Sequence, residues 1–198
     1  MTSPRRFGAP DAKNRTVLLD AAEQLMLDEG YAAVTSRAVA RKAGLKYQLV
    51  YYYFRTMDDL LLEVFTRRAE EGLARQAVAL ASPNPLRALW EFNTEAAAAA
   101  LTMEFAALAN HRKVIRAALT EYSNRFREAE MTALREFMEK YDAQEKTWPA
   151  EVVVVALSGV SRFLMLEESL GVRGGHAETM EFVEQRLRQM DEPSSTTP

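Results

Sequence analysis

The sequence predicts an all-α fold, with an N-terminal three-helix helix-turn-helix domain and a larger C-terminal helical domain. Three observations carry this. Only 8 glycines and 7 prolines occur in 198 residues. No alternating Val/Ile/Thr stretch with hairpin turns is present, and apolar residues recur at three- and four-residue spacing along most of the chain. The length suits one sizeable domain, or a small one joined to a larger one.

The opening "MTSPRRFGAPDA" has two prolines, a glycine and no periodicity, so residues 1–12 read as a mobile arm. The first helix is expected over Lys13–Glu29, where Val17, Leu18, Ala21, Ala22, Leu25 and Met26 form one apolar stripe. Gly30 supplies a left-handed C-terminal position. Thr35 is placed to cap a second helix, Ser36–Ala43, which Gly44 ends. A third helix is expected from about Lys46 to Phe54. Its buried face is marked by Leu45, Val50 and Phe54, with Tyr53 at the border. Tyr47, Gln48, Tyr51 and Tyr52 then lie opposite, where folding does not need aromatics. Tyrosine hydroxyls suit phosphates, their rings suit sugars and thymine methyl groups, and a glutamine pairs bidentately with adenine.

Charge is divided along the chain. Residues 1–56 carry nine lysines and arginines against five acids, a net +4, which leaves −7 for the remainder of a chain totalling −3. A basic head on an acidic body suits a protein that holds a polyanion at one end, although clustered surface charge also arises by chance. There is no cysteine, which excludes disulfides and thiolate chemistry. The absence of a secretory leader and of a long apolar run gives the expectation of a soluble, cytoplasmic protein with no membrane contact.

The segment "TSRAVARKAGLKYQLVYYYFRTMDDLL" resembles the DNA-binding signature of the TetR family of transcriptional regulators, matching at Ala40, Ala43, Gly44, Leu45, Val50, Tyr51, Tyr53 and Phe54. The resemblance covers about a quarter of the chain. It implies that Thr35, Ser36 and Arg37 meet phosphate at the start of the second helix. It also implies that Tyr47, Gln48, Leu49, Tyr51 and Tyr52 face the groove, with Tyr53 near the DNA backbone. Departures from the family pattern are Lys46 in place of a Ser or Thr cap, Gln48 in place of Gly, and Leu49 in place of a small polar residue. Met57 stands where the family carries a phosphate-binding lysine, which puts that contact in question. Lys46 and Arg55 are the basic residues placed to reach phosphate instead.

The domain boundaries expected are 13–56 for the DNA-binding head, 57–192 for a ligand-binding and dimerisation body, and 193–198 for a disordered tail. Thr56 is placed to cap a long helix ending near Leu80, with Asp58 and Asp59 in its first turn. "SPNP" breaks it. Leu86, Leu89, Trp90, Ala97, Ala100 and Leu101 are then expected on one face, with Asn93 within it. A helix over Lys113–Tyr141 is expected to bury Ile115, Leu119, Tyr122, Phe126, Ala129, Ala133 and Phe137. Pro149 opens a helix that closes at Gly171, and a last helix spans His176–Met190.

About six body helices suffice to enclose a cavity. Trp90, Ala97, Met103, Phe105, Met138 and Trp148 are candidate apolar lining, and Asn93, Asn110 and His111 candidate polar groups. Ordinary core packing is the commoner reason for any one of these apolar residues. A buried Asn93 needs partners, from protein, water or ligand. Two histidines exclude a multi-histidine metal site within one chain, and no cofactor is expected.

The all-round apolar Val152–Leu157 places the penultimate helix in an interface or a large core. In TetR-like proteins the last two helices pair with their copies, so the resemblance implies a homodimer using Val155, Gly159, Phe163, Leu166, Phe182 and Leu187. Double-stranded operator DNA and a small apolar or amphipathic effector are the other expected partners. A helical enzyme is the alternative from another class, but no nucleophile–base spacing, phosphate-cradling glycine loop or carboxylate–histidine metal motif supports it. A DNA-binding regulator without a small-molecule effector also stays open.

Overall fold

A computed structural model of the chain describes residues 13–141 and 148–191; the side chains of 96–98, 140–141 and 190–191 are not among those described. The described residues form nine α-helices and one 3-10 turn, with no strand among them. The 1–12 arm and the 193–198 tail lie outside the described residues.

The helices are α1 (Lys13–Glu29), α2 (Ser36–Lys42), α3 (Gln48–Tyr53), α4 (Met57–Leu80), α5 (Pro85–Asn93), α6 (Ala96–Ala109), α7 (Lys113–Tyr141), α8 (Ala150–Ser169) and α9 (His176–Asp191). They divide into two compact units. Unit 1 holds the described residues up to Glu71 together with Leu101–Tyr122, and unit 2 holds Gly72–Ala100 together with those from Ser123 on. The helices α4, α6 and α7 supply residues to both.

In unit 1 the α1 stripe is buried through Leu18, Leu19, Ala21, Ala22, Leu25 and Met26, while Val17 is only half-buried. Also buried in this unit are Val39 of α2, Val50 and Phe54 of the α3 segment, and Leu60, Leu61, Val64 and Phe65 of α4. Phe65 meets Phe105 edge-on at 5.1 Å and Tyr122 at 5.5 Å between ring centroids. The Tyr122 hydroxyl donates to Glu70 at 2.7 Å. Arg67 on α4 clamps Asp20 and Glu23 of α1 at 2.6 and 2.9 Å.

Unit 2 is built on a core of Leu86, Leu89 and Trp90 from α5, Leu134 and Phe137 from α7, Ala150, Val154 and Leu164 from α8, and Leu187 from α9. Pro85 opens α5 behind Asn84, whose side chain accepts from the Arg87 amide.

Three expectations need correction. The face expected to run from Leu86 to Leu101 is interrupted, because the Thr94 hydroxyl donates back to the Trp90 carbonyl at 2.9 Å and ends α5 there. On α7 the buried positions after Tyr122 are Glu130, Leu134 and Phe137, with Leu119, Phe126, Ala129 and Ala133 only half-buried. The charge of Glu130 disguised the stripe to which it belongs. On α8 only Val154 of the all-apolar run is fully buried, while Val152 and Val155 stay 45% and 56% exposed.

Candidate nucleic-acid interface

Between α2 and α3 the chain must turn sharply. Gly44 does so at φ +66°, in the left-handed region, with open space where a Cβ would stand. Ahead of the turn, Thr35 caps α2 by accepting from the Ala38 amide at 3.3 Å. Behind it, α3 starts at Gln48 with Tyr47 as its cap residue and no side-chain cap bond, in keeping with the missing Ser or Thr at position 46.

Val50 and Phe54, at 0% and 2% exposure, anchor α3 in unit 1. The Arg15 guanidinium lies 5.2 Å from the centre of the Phe54 ring and pairs with Glu63, which ties α1, α3 and α4 together. Leu45, expected on the buried face, is only half-buried.

With that face committed, the opposite one is fixed. Tyr47, Tyr51 and Tyr52 are each about half exposed (49%, 49% and 50%), and Gln48 and Lys46 are exposed between them. Leu49 and Tyr53 are half-buried, with the Tyr53 ring edge-on to Tyr52 at 5.0 Å. Arg37 and Arg55 are exposed. Tyr51 crosses to α2, its hydroxyl donating to the Ser36 hydroxyl at 3.3 Å, so the start of α2 and the outer face of α3 form one surface. That bond spans fifteen residues, and neither composition nor periodicity signals it. Lys42 is drawn to Asp28 at 2.8 Å, which holds the Asp28 carboxyl below its usual range, helped by Gln24.

At the far side of the first turn, Gly30 at φ +80° leads into the 3-10 turn Tyr31–Ala33. The Tyr31 amide donates to Glu104 of α6 at 2.7 Å. The reading of the sequence did not single out Glu104.

The candidate effector residues fall in two places. Trp90 is fully buried in the unit 2 core, with Met138 half-buried against it. Asn93 is half-buried in the same unit, and its Nδ2 is shielded from solvent without a hydrogen-bond partner. Trp148, also of unit 2, is 56% exposed. Met103, Phe105 and Asn110 belong to unit 1, where Phe105 is buried against Phe65, Met103 is half-buried, and Asn110 and His111 are exposed. Ala97 lies on α6, but its side chain is outside those described. The interior polar groups of unit 2 also include Gln76 and Glu130, at 1% and 3% exposure. Gln76 extends the stripe of Phe65, Ala69 and Gly72, a spacing legible in the sequence.

The outer face of α8 aligns Val155, Phe163 and Leu166 at 56%, 57% and 42% exposure. Gly159 falls on the same line, with nothing near its missing Cβ. Phe182 of α9 is 58% exposed, whereas Leu187 is buried in the chain's own core and presents no surface. A recess of about 400 Å³ opens between α8 and the start of α9, lined by Gly159, Phe163, Leu164, Gly175 and His176 among others. His176 closes one edge of it through Glu167, at 2.9 Å.

No helix among the described residues is long and apolar enough to cross a membrane. The fold is shared with solved transcriptional regulators. One from Saccharomonospora viridis, solved in complex with choline, superposes with a TM-score of 0.75 at 20% identity, over 88% of this chain and 93% of that one. A TetR regulator from Haloarcula marismortui gives 0.71 at 15% identity, over 88% and 95%. Salmonella enterica GusR gives 0.68 at 16%, over 92% and 95%. In sequence, the chain is 32% identical over 87 residues to the HTH-type transcriptional repressor BepR of Brucella suis. That match takes in 43% of this chain and spans about two fifths (42%) of the relative's length. Residues 18–64, which contain the capped α2, the Gly44 turn and α3, match the family described as bacterial regulatory proteins, tetR family. In this helix-turn-helix segment the chain is similar to the TetR family of bacterial regulatory proteins.

Proposed function

We propose that the protein is a ligand-responsive transcriptional repressor that binds a palindromic operator as a homodimer and is released by a small apolar or amphipathic effector. The observation that carries this is the outer face of α3. It presents three half-exposed tyrosines and Gln48 on a helix whose inner face is locked by Val50 and Phe54. In this reading residues 13–56 are the DNA-binding domain and 57–192 the sensing and dimerisation domain. Thr35, Ser36, Arg37, Lys46 and Arg55 hold phosphate, while Tyr47, Gln48, Leu49, Tyr51 and Tyr52 read the groove, with Tyr53 near the backbone. The repressor named for Brucella suis supports the direction of control.

Dimerisation rests on the exposed apolar line of α8 with Phe182 of α9. A two-fold dimer would set its recognition helices one DNA turn, about 34–36 Å, apart. The effector reading rests on the orphaned Asn93 amide beside the Trp90 core, and the choline held by the Saccharomonospora relative is consistent with a small-molecule site. An effector must bind the DNA-free and DNA-bound conformations unequally to act at all.

Binding isotherms on operator and random duplexes test the DNA reading. Gln48→Ala should cost about 1–3 kcal/mol on the operator only, while Arg37→Ala should weaken both duplexes alike. Equal losses on both for Gln48→Ala would remove it from the readers. Asn93→Leu should blunt release by an effector while leaving ligand-free DNA binding nearly intact. A wild-type response in that variant would make Asn93 a core amide only.

A further inference from the structure

We propose, resting on the effector reading above, that the seam between α4 and α7 at Gln76 and Glu130 recognises the effector's polar group, and that this group is a protonated amine bearing N–H donors. Gln76 Nε2 donates to Glu130 Oε1 at 3.0 Å and to the Phe126 carbonyl at 3.5 Å. Both its N–H groups are thereby engaged, yet its own Oε1 is buried with no donor. At 1% exposure the amide is held away from bulk water.

Glu130 is in a similar deficit. Its Oε2 lies 3.8 Å from Arg127 Nη1, an ion pair too long for a hydrogen bond. Burial pushes its carboxyl above the usual range, outweighing the attraction of Arg127, of Arg162 and the Gln76 bond. The charged form is therefore less well served here than in water, even with two arginines nearby. Arg127 Nη1 also lacks a hydrogen-bond partner, but its side chain is 27% exposed and has a route to solvent that Gln76 and Glu130 lack.

What the seam lacks is hydrogen-bond donors and positive charge. A carboxylate or phosphate brings further acceptors, and an alcohol brings one donor without charge. A quaternary ammonium brings charge without a donor, so Gln76 Oε1 stays orphaned. A protonated amine brings both. Phe126, whose carbonyl takes Gln76, has its ring 6.4 Å from that of Phe92 between centroids, and Phe92 already carries a cation, the Arg75 guanidinium at 5.6 Å. One helical turn earlier the seam is closed: a Cβ on Gly72 would stand 3.1 Å from Phe126 Cζ. An occupant that takes Glu130 from Gln76 must therefore part α4 from α7. Because α4 follows α3 in the chain, this is a site at which binding would move the helix that leads from the DNA-binding segment.

The test uses the full chain and four probes of equal tail length: octylammonium, octyltrimethylammonium, octanol and octanoate. Calorimetric titration should show octylammonium binding at least about 10-fold tighter than the other three, with Glu130→Gln reducing that preference to about 2-fold or less. Octylammonium should also lower operator affinity in the wild type. Gln76→Leu, which removes the orphaned acceptor, serves as the second variant and should bring the primary and quaternary ammonium probes to equal affinity. A tighter octanoate, equal binding of the two ammonium probes to the wild type, or a preference that survives both substitutions overturns the proposal. Should none of the four bind or shift operator affinity, the effector reading falls with it. Tight octanol or octanoate binding that releases the operator would leave the effector reading standing and remove the amine alone.

Discussion

Two helices of this protein hold apolar side chains in water, and they do so with different chemistry. On α3 the exposed residues are Tyr47, Tyr51 and Tyr52, with Gln48 and Lys46 among them. On α8 they are Val152, Val155, Phe163 and Leu166 at 42% to 57% exposure, with no hydroxyl on any of them. A tyrosine ring ends in a group that is content in water and available to phosphate. A valine, leucine or phenylalanine offers only area to be removed from water, and burying it favours association by roughly 25 cal/mol per Å². The α3 face therefore suits a wet, polar partner, and the α8 face another apolar surface. Exposure alone does not distinguish an interface type; the polar tip does.

The largest expected effect breaks this contrast at α8. Val155→Glu with Phe163→Glu would place two carboxylates on the apolar line, each carrying a desolvation penalty of several kcal/mol if a second copy covers it. Analytical ultracentrifugation should then show monomers with a circular dichroism spectrum like the wild type's, and operator binding should be lost with the second half-site. A dimer that survives both substitutions puts the interface on another surface.

A smaller effect sharpens the contrast at α3. Tyr52→Phe keeps the ring and removes the hydroxyl, which makes this position chemically like the α8 face. Operator binding measured by fluorescence anisotropy should weaken by about 0.5–1.5 kcal/mol, the net value of one hydrogen bond. No change would mean that the ring alone, by stacking, is what α3 contributes there.

The head was legible because its turn chemistry and periodicity point the same way. Thr35, Gly44, Val50 and Phe54 each have a local reason to be where they are, so the helix ends were found within about two residues. The body was less so. The break at Thr94 depends on a hydroxyl bonding backward to its own helix, which a run of helix-forming residues conceals. Gln76 and Glu130 lie on buried stripes, yet polarity argued against burial, and only their pairing across 54 residues reconciles the two. Among the proposed lining residues, Trp90 and Phe105 both have the burial expected of them but occupy the cores of different units. Periodicity reports that a residue is inside without reporting which inside.

The smallest effect concerns that interior pair. Because folding holds the Glu130 carboxyl above the ordinary value of 4.5, its contribution to stability is fully present below that pH and lost as pH rises through the folded-state value. Glu130→Gln keeps an acceptor for Gln76 and removes the titration. The urea midpoint of the variant, relative to wild type, should therefore rise across a pH window that opens at 4.5 and extends upward. A difference that is flat across that window would show the carboxylate fully compensated where it stands.

The make-up of unit 1 has a consequence for how the chain is produced. Its core is assembled from two separated stretches: Phe65 packs on Phe105 and Tyr122, and the intervening Gly72–Ala100 belongs to the other unit. A ribosome that has just finished α4 has made the entire helix-turn-helix segment but not the residues that pack on Phe65 or the Glu104 carboxylate that receives the Tyr31 amide. Synthesis through Tyr122 takes roughly 2–8 s more at the usual ~5–20 residues per second. Throughout that interval α3 exists without the full core of its unit. A transcript cut short in α5 would leave a fragment in which Phe65 lacks both of its aromatic partners.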